Sequence, residues 1–84
     1  MTRNMEIRLI DGSFTGSEAL ALMSAIVDVK IRFHEGKIDQ SENEEDIKMR
    51  ERRISRLQGD LARLREEIRG MDRLQLQADL RISG

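Results

Sequence analysis

Apolar residues recur every seven positions through the second half of the chain, and no other feature restricts its fold as strongly. Ile47, Ile54, Leu61 and Ile68 stand seven apart, and Leu57, Leu64 and Met71 fall at the intermediate position that a heptad requires. The stretch from Ser41 to Met71 is therefore expected to present a seam to another helix. Arg50 stands where the pattern asks for an apolar side chain. It marks the place where the seam opens, adjusts its register or meets a carboxylate, and its aliphatic stem can still cover apolar surface.

The ends of this helix are signalled as well. Ser41-Glu42-Asn43-Glu44 has the S-x-x-E spacing of a capping box, and the acidic residues from Glu42 to Asp46 sit where a helix N-terminus favours negative charge. With Gly70 as the stop, the helix is expected over residues 42–69. Glu44 with Lys48, Asp46 with Arg50 and Arg63 with Glu67 are spaced to pair along its solvated side. Gly59, off the seam, weakens the helix by about 1 kcal/mol relative to Ala and marks either the close approach of a neighbour or tolerated slack.

Upstream, residues 4–10 read as a strand, with Met5, Ile7 and Leu9 on one side and Glu6 and Arg8 on the other. Ile10 breaks this alternation, and Asp11-Gly12-Ser13 reads as a turn. Thr15-Gly16-Ser17-Glu18 is a second capping box, so a helix is expected over residues 16–36, with Gly36 as a C-terminal stop. Val27 to Phe33 also alternates in the manner of a half-buried strand, but the helical period accounts for more of the segment. On that period Leu22, Ile26, Val29 and Phe33 form one apolar stripe, and Leu20, Met23, Val27, Ile31 and Ile38 form another beside it. The two together are wider than one partner helix can cover.

After Gly70 the period shortens. Leu74, Leu76, Ala78, Leu80 and Ile82 alternate with polar residues, which predicts a strand over residues 73–82. The expected fold is mainly α with a minor strand component, a single small domain built as a long antiparallel helical hairpin flanked by two short terminal strands. The hairpin brings those strands together as an antiparallel pair. A lone two-stranded ribbon is marginal in water, which again calls for a partner.

Composition narrows the functional classes. At 84 residues the chain is near the size where one core supplies only a few kcal/mol and oligomerisation is a common remedy. Two Phe are the only aromatics, so interface anchors and base-stacking platforms are scarce. A net charge of −1 gives no long-range attraction to nucleic acid or to an anionic membrane. The absence of cysteine excludes disulfide, thiolate-metal and cysteine chemistry and fits a reducing compartment. The first ten residues lack the basic start and apolar core of a signal peptide, and no apolar run reaches membrane-spanning length, so a cytoplasmic setting is expected.

Candidate chemistry is sparse. His34 is the only histidine, and no other ligands are spaced to share a metal with it. The stretch Asp11 to Ser17, between a strand and a helix, is the best candidate for anion capture by free backbone donors, although its spacing matches no phosphate-loop fingerprint. No pair of carboxylates is placed for acid–base work, so neither an enzyme, a cofactor nor a small-molecule substrate is expected. Lys48, Arg52, Arg53 and Arg56 form a basic block that supports a second reading, a nucleic-acid-binding hairpin, but an equal acidic block precedes it and no aromatic interleaves it.

The run MEIRLIDGSFTGSEALALMSAIVDVKIRFHEGKI followed by SENEEDIKMRERRISRLQ resembles small bacterial proteins laid out as a strand, a long helical hairpin and a strand. The resemblance implies that layout and brings no activity or site residue with it. The primary expectation is a non-enzymatic structural or protein–protein interaction module. It would form a homodimer through Leu22, Ile26, Val29 and Phe33 as a four-helix bundle, with the ribbons joining across the two-fold axis; another protein on the same stripe is the rival occupant.

Overall fold

The computed structural model describes residues 3–84, so Met1 and Thr2, at the start of the N-terminal alternation, lie outside the described residues. The order of elements is β1 (Asn4–Thr15), α1 (Gly16–Gln40), α2 (Glu44–Ile68) and β2 (Arg73–Ser83). The helices form a hairpin, and the strands pair antiparallel as a two-stranded ribbon. At its outer tip the Arg3 N–H donates to the Gly84 carbonyl at 3.0 Å.

The capping box at Thr15 is fully formed. The Glu18 N–H donates to Thr15 Oγ1 at 3.0 Å, and the Thr15 N–H donates to Glu18 Oε1 at 2.9 Å. Residues 27–33 lie within α1, which runs through Gly36 and ends four residues beyond it, at Gln40. Gly36 is therefore not a stop: its φ is not positive, and the apolar stripe that ends at Ile38 carries the helix onward. The second capping box is not used as expected either. Asn43, not Ser41, caps α2, accepting on Oδ1 from Glu45 N–H at 2.9 Å and Asp46 N–H at 3.1 Å. Ser41 is occupied in closing α1, where its N–H donates to the Ile38 carbonyl at 3.1 Å, and its Oγ accepts from Asn43 N–H at 3.2 Å. The helix accordingly starts at Glu44 rather than residue 42. Gly70, at φ 86°, provides the left-handed turn into β2.

The largest departure lies in β1. Asp11, Gly12 and Ser13 are not a turn but strand residues opposite Gln77, Leu76 and Gln75, so the strand extends to Thr15 instead of ending at Ile10. The break in alternation at Ile10 is a β-bulge, with Arg8 opposite Asp79, Ile10 opposite Ala78, and Leu9 left over between them. Opposed residues of an antiparallel pair point to the same face. Met5, Ile7, Ile10 and Phe14 thus share one face with Ile82, Leu80, Ala78 and Leu74, a continuous apolar strip that regular pairing of β1 would have broken. The other face carries Glu6 opposite Arg81 and Arg8 opposite Asp79, with charged contacts at 2.9 and 3.3 Å.

The molecule is open. Its Cα extents are 46 × 38 × 14 Å. A 25-residue helix is about 37 Å long and a 12-residue strand about 40 Å, so hairpin and ribbon are two arms meeting at an angle, one layer thick. Only α1 touches the ribbon; α2 packs on α1 alone. The radius of gyration of 15.8 Å exceeds the roughly 12 Å of a compact chain of this length.

Candidate functional site

Two surfaces on the hairpin could act on another molecule, and both follow from how the seam is filled. On α2, Ile47, Ile54, Leu57, Leu61 and Leu64 are half-buried and Ile68 is buried, while the positions between them are exposed. Met71 does not extend this row. It lies beyond the helix end, after Gly70, and is about half exposed, because the chain has already turned towards β2. On α1 the facing row is Ala19, Leu20, Met23, Val27, Ile31, His34 and Ile38, all buried or half-buried. The start of α1 is pressed against the end of α2, so that a Cβ placed on Gly16 would come within 2.9 Å of Ile68 Cγ2 and of the Met71 carbonyl oxygen.

The other stripe of α1 is bare. Leu22, Ile26, Val29 and Phe33 are all exposed, Val29 at 67% and Phe33 at 58%. Ala25, Ile26, Val29 and the stem of Lys30 form a shallow, wholly apolar patch within it. A second uncovered apolar surface lies on the outer half of the ribbon, where Met5, Ile7, Leu80 and Ile82 are exposed while Ile10, Phe14, Leu74, Leu76 and Ala78 nearer α1 are buried or half-buried. The molecule exposes 6913 Å² in all, against about 5,100 Å² for a compact chain of 9.7 kDa. The excess of roughly 1,800 Å² exceeds the ~800 Å² that each partner buries in a standard interface and falls within the range of obligate dimers.

The seam's polar exception has a defined structure. Arg50 Nε donates to Asp46 Oδ2 at 3.4 Å, and Arg50 Nη1 lies 3.1 Å from Nδ1 of His34, the buried polar residue on the facing helix. The carboxylate expected to meet Arg50 is thus on its own helix, and a histidine meets it across the seam. The Asp46–Arg50 spacing is occupied as its sequence suggests, whereas Arg63 turns to Asp60 at 2.6 Å instead of Glu67. Burial, and then the positive charges of Arg50, Arg53 and Lys30, hold the His34 pKa below its ordinary value.

The basic block divides between two recesses. Lys48 and Arg52 stand with Asn43, Glu45, Asp46 and Met49, so two carboxylates face them. Arg53 and Arg56 stand instead with Lys30, His34 and Leu57, between the helices. Lys48 and Arg53 are about 140° apart around α2, and the four cations do not form one strip. The Asp11 to Thr15 backbone, considered for anion capture, is committed to pairing with β2. No group of three or more His, Cys, Asp or Glu able to hold a metal occurs among the described residues, and none of their helices is long and apolar enough to cross a membrane.

No family model, curated protein or solved structure matches this chain.

Proposed function

We propose that this protein is a non-enzymatic structural module that works by self-association, with the α1 stripe Leu22, Ile26, Val29 and Phe33 as the centre of its dimer interface. The bare stripe carries this reading. Four apolar side chains at helical spacing lie on the side of α1 that α2 does not cover, in a chain whose exposed surface is about a third larger than a compact fold of its size. A second copy is the simplest cover, because a two-fold axis lets the same stripe serve both partners. The exposed outer ribbon and its two unpaired edges favour the same arrangement, since a second ribbon would extend the sheet. The cysteine-free composition suits a cytoplasmic setting.

Sedimentation equilibrium tests the proposal. A dimer is expected at micromolar concentration, and Val29→Glu, which places a carboxylate at the centre of the stripe, is expected to dissociate or unfold it. A well-folded wild-type monomer at that concentration refutes self-association. The nucleic-acid reading ranks second, because Lys48 and Arg52 do not stand with Arg53 and Arg56; steeply salt-dependent binding to an oligonucleotide would favour it.

A further inference from the structure

Lys30, His34, Arg53, Arg56 and Leu57 line a recess of about 300 Å³ between the two helices. The recess is unusual first for what its cations lack. Lys30 and Arg53 have no Asp or Glu three or four residues away on their own helices, and the one acidic residue so placed for Arg56, Asp60, is held by Arg63 at 2.6 Å. None of the three cations makes an ion pair among the described residues. A chain of net charge −1 therefore gathers three uncompensated positive charges at one concavity, although acidic residues are plentiful elsewhere.

The second observation concerns His34. A guanidinium has no acceptor, so the 3.1 Å contact between Arg50 Nη1 and His34 Nδ1 is a hydrogen bond only if Nδ1 carries no proton. The proton of the neutral ring is then on Nε2. That nitrogen has no partner among the described residues, and no buried side-chain nitrogen or oxygen is left unpartnered, so the Nε2–H is open to solvent. Arg50 thereby fixes His34 as a donor on its free side, beside Lys30, Arg53 and Arg56.

We propose that this recess binds a phosphate-type oxyanion. The Arg53 and Arg56 guanidinium groups and the Lys30 ammonium supply charge, and His34 Nε2–H supplies a neutral donor. Two donors come from each helix, so the site exists only when the hairpin is closed. Three cations and a neutral donor suit a dianion with tetrahedrally disposed acceptors, and paired guanidinium forks match phosphate oxygens geometrically. The phosphate is either the free ion or the terminal group of a small phosphoester.

The test is a titration of the full chain with inorganic phosphate, and separately with a nucleoside monophosphate, at neutral pH and constant ionic strength, following the His34 ring resonances. Saturable shifts are expected with inorganic phosphate, and tighter binding of the monophosphate would identify a phosphoester as the preferred source. Arg53→Gln and Arg56→Gln, both at exposed positions, are each expected to weaken binding about tenfold, the loss of one charge-assisted donor. Arg52→Gln, in the other recess, is expected to leave it unchanged. The proposal is overturned if phosphate moves His34 no further than chloride at matched ionic strength, or if Arg52→Gln weakens binding as much as Arg53→Gln.

Discussion

Arg50 donates from Nη1 to Nδ1 of His34 across the helical seam at 3.1 Å, and this bond holds the histidine neutral inside a largely apolar interface. Burial of the ring, with the nearby charges of Arg50, Arg53 and Lys30, places its pKa below the ordinary imidazole value of 6.5. Just below that value the unfolded chain binds a proton that the folded chain does not, so stability falls as pH drops from 6.5 through the folded pKa and is fully present above 6.5. The carboxyl of Glu18, lowered by its bonds to Thr15, adds a similar loss only as pH falls below the ordinary value of 4.5. Thermal unfolding of the wild type should therefore show a declining Tm between those two values, and His34→Gln should remove the decline attributable to this group.

Replacing Arg50 by Met fills the one polar gap in the heptad and withdraws both the donor and a positive charge from His34. The His34 pKa should rise but stay below 6.5, because burial, the larger cause, remains. Stability at neutral pH should rise by about 1 kcal/mol, since Asp46 is exposed enough to be rehydrated when its partner is lost. Proton titration of the ring by NMR checks the first effect and urea unfolding the second. An unmoved His34 titration would show that the Arg50 contact is absent in solution.

Deleting Leu9 should be tolerated. The remaining residues, Met5, Ile7, Ile10, Gly12 and Phe14, would alternate without interruption and keep their present partners on β2. Deleting Ala78 should have the opposite result, because it turns Leu80 and Ile82 to the face opposite Leu74 and Leu76. Cross-strand NOEs between Met5 and Ile82 distinguish the two, persisting in the first variant and vanishing in the second.

The helical glycines should separate by sign. Gly16→Ala forces a methyl to within 2.9 Å of a backbone oxygen, which cannot move cheaply, and should cost about 1–3 kcal/mol. Gly36→Ala and Gly59→Ala meet nothing within 4 Å and should each stabilise by about 0.5–1 kcal/mol. Chemical denaturation midpoints of the three variants decide this.

The hairpin was legible because its signals are periodic and redundant. The heptad of α2, the Thr15 cap and the period of β2 each repeat one message over several residues. The misread features depend on single residues with two uses. Asp11-Gly12-Ser13 has turn composition, and only the register against Gln75 to Gln77 shows that it continues the strand past a bulge. Ser41 and Asn43 are both good caps, and the choice between them was made by Ser41 closing α1. Gly36 gave a stop signal that the continuing stripe to Ile38 overrode. The recess at His34 was the least visible feature, because Lys30 and Arg53 are far apart in sequence and meet only when the hairpin closes. Its one advance sign was a histidine and an arginine each placed at a position expected to be apolar.

The Arg3 to Gly84 hydrogen bond places both outer ends of the ribbon at one tip, and this decides how the protein would bear tension. A load applied through those two residues pulls the strands apart sideways, so that Asn4 and Ser83 part first and each following pair takes the full force alone. The strands would peel instead of shearing, at low force, and α1 and α2 would feel no tension until Thr15 and Arg73 had separated. Anchored by its ends, this molecule would act as a compliant extension that lengthens by the unpeeled ribbon while its helical arm stays folded.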